Sequence, residues 1–259
     1  MRWIGAIVLA LGMVLGMLPV PGVRAGSVAE PPGRIAYQGT DRALHIASAD
    51  GGGDRVIPTR GEVFTPRWSP GGGELVYSDE LPTDPYRGQL VVVNPTTGAS
   101  RVVIGPEARD PNLDTYWSFL QPRWTPDGRA LVYLRSGGGR ATTVMRVAAT
   151  GGTPQELFFG TSTTRFDLSP VDGRFALSED AFAEEAVQGS ILAILDPNGQ
   201  NARVLLPRRG EFYFQPTWTP DGGGIVVRRQ AARDSATATL TLVNPDTGAL
   251  RDLGAVPGG

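Results

Sequence analysis

The chain has 259 residues, 26 acidic and 24 basic side chains, one histidine and a formal net charge of −2. That balance gives no electrostatic case for nucleic acid. Every Lys/Arg position is arginine, and there is no cysteine, which excludes thiol chemistry, a disulfide framework, a cysteine zinc site and a lipid-modified N-terminal cysteine.

In chain order, Arg2 opens a short basic start and residues 3–20 are apolar. Pro19 and Pro21 then interrupt the run, and Val23-Arg24-Ala25 before Gly26 forms a small-x-small cleavage pattern. This layout predicts a secretory signal over residues 1–25. The mature chain, 26–259, is then exported to the periplasm or the extracellular space. An uncleaved membrane tether is the alternative. Cleavage removes Arg2 and Arg24 but no acid, so the mature chain is the more acidic.

The remainder is a repeat. Trp68-Ser69-Pro70-Gly71-Gly72, Trp124-Thr125-Pro126-Asp127-Gly128, Leu168-Ser169-Pro170 with Asp172-Gly173, and Trp218-Thr219-Pro220-Asp221-Gly222 recur about every fifty residues. Each is followed by an apolar run rich in β-branched and aromatic residues, such as Leu75-Val76-Tyr77 and Leu131-Val132-Tyr133. After a variable stretch comes a second run, such as Leu90-Val91-Val92-Val93, then a turn such as Asn94-Pro95-Thr96-Thr97-Gly98, then a closing run. Trp68 stands as far from Asn94 as Trp218 does from Asn244, so the internal register is kept. Proline sets φ for a tight reversal, and the Asp-Gly or Gly-Gly pair supplies the positive-φ position. The tryptophan just before the turn closes an inner strand, where its ring can fill the gap between neighbouring sheets.

Pro32-Gly33-Arg34-Ile35-Ala36-Tyr37 begins a weaker fifth copy. Repeated four-stranded units of this length, with no long helical periodicity after the signal, predict an all-β propeller of about five four-stranded antiparallel blades. The blades are placed at about 26–57, 63–104, 119–158, 164–206 and 213–254, in one domain. A closed five-bladed ring is expected, with a six-bladed ring or an open arc as alternatives. The first strand of the first blade is expected from residues 26–30.

The four Trp/Leu-Ser/Thr-Pro phrases, each followed by a strand, resemble the TolB-type, WD40-like PD40 propeller repeats over nearly the whole mature chain. The resemblance implies a propeller making protein–protein contacts at one face of its disc. Two departures stand out. A TolB-like protein places a separate α/β domain before a six-bladed propeller, whereas here only the signal precedes the blades, and five units are counted.

In such a blade the turns joining strands one to two and three to four lie on one face of the disc, and the remaining loops on the other. The first set is uniformly tight here. The second is long and irregular at 79–88, 105–121, 136–140, 179–189, 208–215 and 229–236, and long loops carry binding residues. Tyr86, Arg87, Arg109, Tyr116 and Trp117 are therefore candidate contacts; Phe212 and Tyr213 look exposed, but Phe212 is expected to pack its loop down on the disc, with the same packing the alternative for Trp117. Arg67, Arg123, Asp167 and Thr217 stand one residue before the end of each inner strand. Gln121, Arg165 and Gln215 precede them by two, and some of this set should face the axial channel. The partner expected is a protein or an envelope component, with no nucleic acid and no membrane contact beyond the signal.

Enzyme chemistry has little support in the sequence. His45 falls in a middle strand of the weakest copy, no G-x-S-x-G elbow occurs, and no H-E-x-x-H is present. No cofactor or metal is expected. The alternative reading is a propeller glycoside hydrolase or lyase working through a pair drawn from Asp79, Glu80, Asp167, Glu179 and Asp180.

Overall fold

The computed structural model describes residues 33–81, 84–107, 117–137, 141–161, 164–180, 188–207 and 210–258. The expected signal and the expected strand at 26–30 lie outside them. Among the described residues no helix is long and apolar enough to cross a membrane.

Among the described residues, nineteen strands form five antiparallel sheets in sequence order. The first sheet holds β1 (Arg34–Gln38), β2 (Leu44–Ser48) and β3 (Arg55–Ile57). The second holds β4 (Glu62–Trp68), β5 (Leu75–Leu81), β6 (Asp84–Val93) and β7 (Ser100–Ile104). The third holds β8 (Trp117–Trp124), β9 (Ala130–Gly137), β10 (Ala141–Ala148) and β11 (Gln155–Thr161). The fourth holds β12 (Arg165–Leu168), β13 (Phe175–Asp180), β14 (Ser190–Leu195) and β15 (Arg203–Leu206). The fifth holds β16 (Phe212–Trp218), β17 (Ile225–Gln230), β18 (Thr237–Val243) and β19 (Leu250–Pro257). The fold is a five-bladed β-propeller. Its first blade shows three strands among the described residues, not four, and its β1 matches the second strand of the other blades.

The repeated phrase builds the reversal between strands one and two. In the third blade the Thr125 amide donates to the Ala130 carbonyl at 2.9 Å and the Gly128 amide to the Thr125 carbonyl at 2.8 Å. The Asp127 carboxylate accepts from the Thr125 hydroxyl at 2.6 Å and the Arg129 amide at 3.0 Å. The fifth blade repeats the set with Thr219, Asp221, Gly222 and Gly224. Gly72, Gly128, Gly173 and Gly222 have φ between 66° and 75°, which a Cβ would strain. Ser or Thr is written at the second position because its side-chain oxygen accepts the amide that begins the next strand, as from Ala130 at 3.0 Å and Gly224 at 2.9 Å. In the second turn the Asn94 and Asn244 side chains accept amides from the residues two and three positions on.

Middle strands read as continuous apolar runs because both of their faces are covered. Leu75, Val76 and Tyr77 are all buried, as are Leu131, Val132, Tyr133 and Leu134. Among the described residues four apolar clusters fill the four gaps between successive sheets. Trp124 and Trp218 are buried in two of these gaps, where the sequence placed them. Inner strands stack in order, β4 against β8, β8 against β12 and β12 against β16, and β1 of the first sheet packs against β4. The inner strand expected for the first blade lies outside the described residues.

The long-loop face is tighter than expected in two places. Residues 79–88 are mostly strand, since β5 and β6 pair from Leu75↔Val93 to Leu81↔Asp84. β8 begins at Trp117 and extends into the stretch expected as a 105–121 loop.

Candidate functional site

Inner strands of the second, third and fifth blades share a feature that the repeat alone does not announce. Thr65, Gln121 and Gln215 have φ of 47°, 52° and 51°. Each stands three residues before the blade's tryptophan and directly before a proline. Pairing slips at the same place in all three sheets, between Phe64 and Arg67, Leu120 and Arg123, and Phe214 and Thr217. Proline cannot donate to the ladder, so the strand bulges around it. A non-glycine residue in the left-handed region costs on the order of 1–2 kcal/mol, and such strain clusters at functional sites.

The bulges turn these side chains toward the axis. A cavity of about 410 Å³ lies there, lined by Thr65, Arg67, Gln121, Arg123, Arg165 and Gln215 among others. Five of the six belong to the set of which some were expected to face the channel. Thr65 was missed, although the repeated x-Pro step inside an inner strand was the available sign.

Three arginines line the cavity, and among the described residues no carboxylate does. Asp167 lies beside it and is already committed. One oxygen accepts from Arg123 Nε at 2.7 Å, and the other accepts from the Trp218 amide at 2.9 Å. Each arginine also folds back to donate to a preceding carbonyl, Arg67 to Pro66 and Arg123 to Pro122 at 3.1 Å, and Arg165 to Thr164 at 2.9 Å. Arg67 forms no salt bridge with a described carboxylate. Burial, then the nearby Arg123 charge, holds its guanidinium pKa below the ordinary value, with Asp167 opposing.

The other proposed acids do not line this cavity. Asp79 is fully buried, accepts from Gln89 Nε2 at 2.6 Å and has its pKa raised by burial. Asp180 is buried, accepts from the Ser190 hydroxyl at 2.5 Å and pairs with Arg233 at 2.5 Å. Glu179 accepts from the Thr164 hydroxyl at 3.1 Å. Glu80 has its pKa raised by burial and by the Glu62 charge. No cluster of three or more metal-ligating side chains occurs among the described residues.

On the long-loop face the picture is mixed. Tyr86 and Arg87 belong to strand β6, and Trp117 opens β8. Arg109 and Tyr116 lie outside the described residues. Phe212 and Tyr213 are buried, Phe212 packing down as expected and Tyr213 contrary to its exposed look. Tyr213 packs into the gap between the fourth and fifth sheets, where its carbonyl accepts from the buried Ser178 hydroxyl. Phe212 stacks on Phe214 and lies under the Arg233 guanidinium.

Sequence comparison finds no match to any protein-family model and none to a curated protein. Solved structures do match. An oligogalacturonate lyase in complex with manganese aligns with a TM-score of 0.61 and 17% identity, over 83% of this chain and 60% of that one. The chain thus spans less than two thirds of that protein's length. A puromycin hydrolase aligns at 0.60 and 22%, over 85% of this chain and 36% of the other. A putative TolB from Agrobacterium tumefaciens aligns at 0.60 and 19%, over 84% and 76%. At these identities the likeness shows a shared propeller fold, one that a TolB protein and enzymes both carry.

Proposed function

We propose that this propeller is an exported, non-enzymatic binding scaffold, contacting a protein or envelope component through the long-loop face and the channel that opens on it. The observation carrying this reading is the channel lining: three arginines, two glutamines and a threonine around a cavity with no lining carboxylate among the described residues. Donors converge there without an acid–base pair. A glycoside hydrolase or lyase of the expected type needs two carboxylates facing one space. Among the described residues Asp167 approaches it, one oxygen accepting from Arg123 and the other from the Trp218 amide. The likeness to a TolB structure supports a scaffold role, and the likeness to a lyase is equally one of fold.

The test places a photo-crosslinking residue at exposed Ala231, in the loop joining β17 to β18, and separately at Val171 on the tight-turn face. Expressed in the producing cell, the first should give a discrete adduct and the second none. Equal labelling from both faces, or turnover of a glycan by the purified chain, would overturn the reading.

A further inference from the structure

We propose that the axial channel is an oxyanion site, taking a carboxylate or phosphate group with Arg67 as its principal ligand. This deepens the binding reading above and rests on it for the channel's role.

Three features of the chain support it independently. The first is charge. Three guanidiniums line one cavity with no lining carboxylate among the described residues, and Arg67 pairs with no described carboxylate, a concentration of positive charge that favours an anion. Guanidinium offers a planar fork of donors that fits carboxylate and phosphate oxygens in pairs. The second is donor supply. Arg123 spends its Nε on Asp167 and Nη1 on Pro122, while Arg67 spends only Nη1, on Pro66, so Arg67 has its Nε and second terminal nitrogen to give. The third is strain. Thr65, Gln121 and Gln215 hold left-handed backbones that cost folding energy, and all three side chains line the same cavity. Each can add a hydroxyl or amide donor to an oxyanion. The depressed Arg67 pKa fits as well, since Arg123's charge is its second cause and a bound anion would relieve that repulsion. About 410 Å³ suits a small polyvalent anion or the acidic tip of a larger chain.

The experiment is calorimetric titration of the purified mature chain with citrate, inorganic phosphate and hexaglutamate at constant ionic strength. These arms separate a free carboxylate, a free phosphate and a carboxylate displayed on a chain. Saturable one-to-one binding of at least one is expected, weakened about tenfold or more by Arg67→Gln. It should be unchanged by Arg251→Gln on the exposed outer strand β19. Gln215→Glu, which puts a carboxylate into the channel, should abolish it and serves if Arg67→Gln does not fold. No saturable binding, or equal loss from Arg67→Gln and Arg251→Gln, would overturn the proposal. Loop-face crosslinking without anion binding would sink this inference and spare the scaffold; anion binding without crosslinking would do the reverse.

Discussion

The indole Nε1 of Trp124 donates to the backbone carbonyl of Arg67 at 3.2 Å, from one blade to the inner strand of the blade before it. The tryptophan that marks the repeat therefore also fixes the backbone carrying a channel arginine. Trp218 occupies the same repeat position, yet its Nε1 is buried without a partner among the described residues. The two should respond differently to phenylalanine. Trp124→Phe loses a hydrogen bond and leaves a carbonyl short, costing about 1–2 kcal/mol. Trp218→Phe removes an unsatisfied donor and should cost less than about 0.5 kcal/mol or stabilise slightly. Urea denaturation of both variants checks this, and an equal cost would mean ring size alone matters.

Asp167 joins three blades: it sits on β12, pairs with Arg123 of β8 and caps the amide of Trp218 on β16. Both side chains of the ion pair are 16% exposed, so solvent screens it little. Asp167→Ala strands a guanidinium and an amide together and should cost about 3 kcal/mol. Asp167→Asn keeps one acceptor and should cost less, while freeing Arg123 for a ligand. Citrate affinity should therefore rise in Asp167→Asn even as the denaturation midpoint falls. A fall in both would mean that the ion pair orients Arg123 for binding.

His45 is gripped from both sides in the first blade, with Nδ1 3.1 Å from Asp54 and Nε2 3.1 Å from Asp41. Tyr37 stacks on the ring and donates its hydroxyl to Asp54 at 2.9 Å. Two carboxylate acceptors require both ring nitrogens to carry protons. The bond to Asp54, then that to Asp41, raises the histidine pKa above 6.5 against burial. The Ala43 amide holds Asp41 below 3.8, and the Tyr37 hydroxyl and then His45 hold Asp54 there. A raised histidine stabilises fully below 6.5 and ceases to do so as pH climbs through its folded value. The lowered acids contribute above 3.8 and fail as pH falls through theirs. The melting temperature of wild type minus that of His45→Gln should be largest near pH 5 and shrink by pH 9. A pH-independent difference would show the histidine to be neutral in the fold.

Much of this was written in the chain. The Trp-Thr-Pro-Asp-Gly phrase specifies a tight turn, so the reversal and its positive-φ glycine, Gly128, are read correctly from spacing alone. Gln121, Gln215 and Arg123 were traceable to the axis because they sit at fixed offsets from a tryptophan whose place was known. The bulge was harder. Its cause is local, a proline inside a paired strand, but its effect is to re-aim the preceding side chain, and that depends on the partner strand's register. The Arg123–Asp167 pair joins residues from different blades, which no period can foretell. Tyr213 was misread because a strand's first residues look like loop residues until the neighbouring blade covers them.

Gln215 separates folding from binding most cleanly. Its φ of 51° is a conformation glycine adopts freely, and it directly precedes Pro216, which disfavours helical backbone still further. If the glutamine serves the fold, replacement should destabilise it by removing contacts. If it is there for a ligand, Gln215→Gly should leave stability unchanged or raise it by about 0.5 kcal/mol, as relieved strain offsets the greater freedom of the unfolded chain. Anion affinity should drop severalfold in the same variant. Gln215→Ala, which keeps the strain and loses the amide, should bind as poorly as Gln215→Gly while being less stable. A ligand-facing role requires that pattern, stability following the backbone and affinity following the side chain; parallel losses in both variants would return Gln215 to the fold.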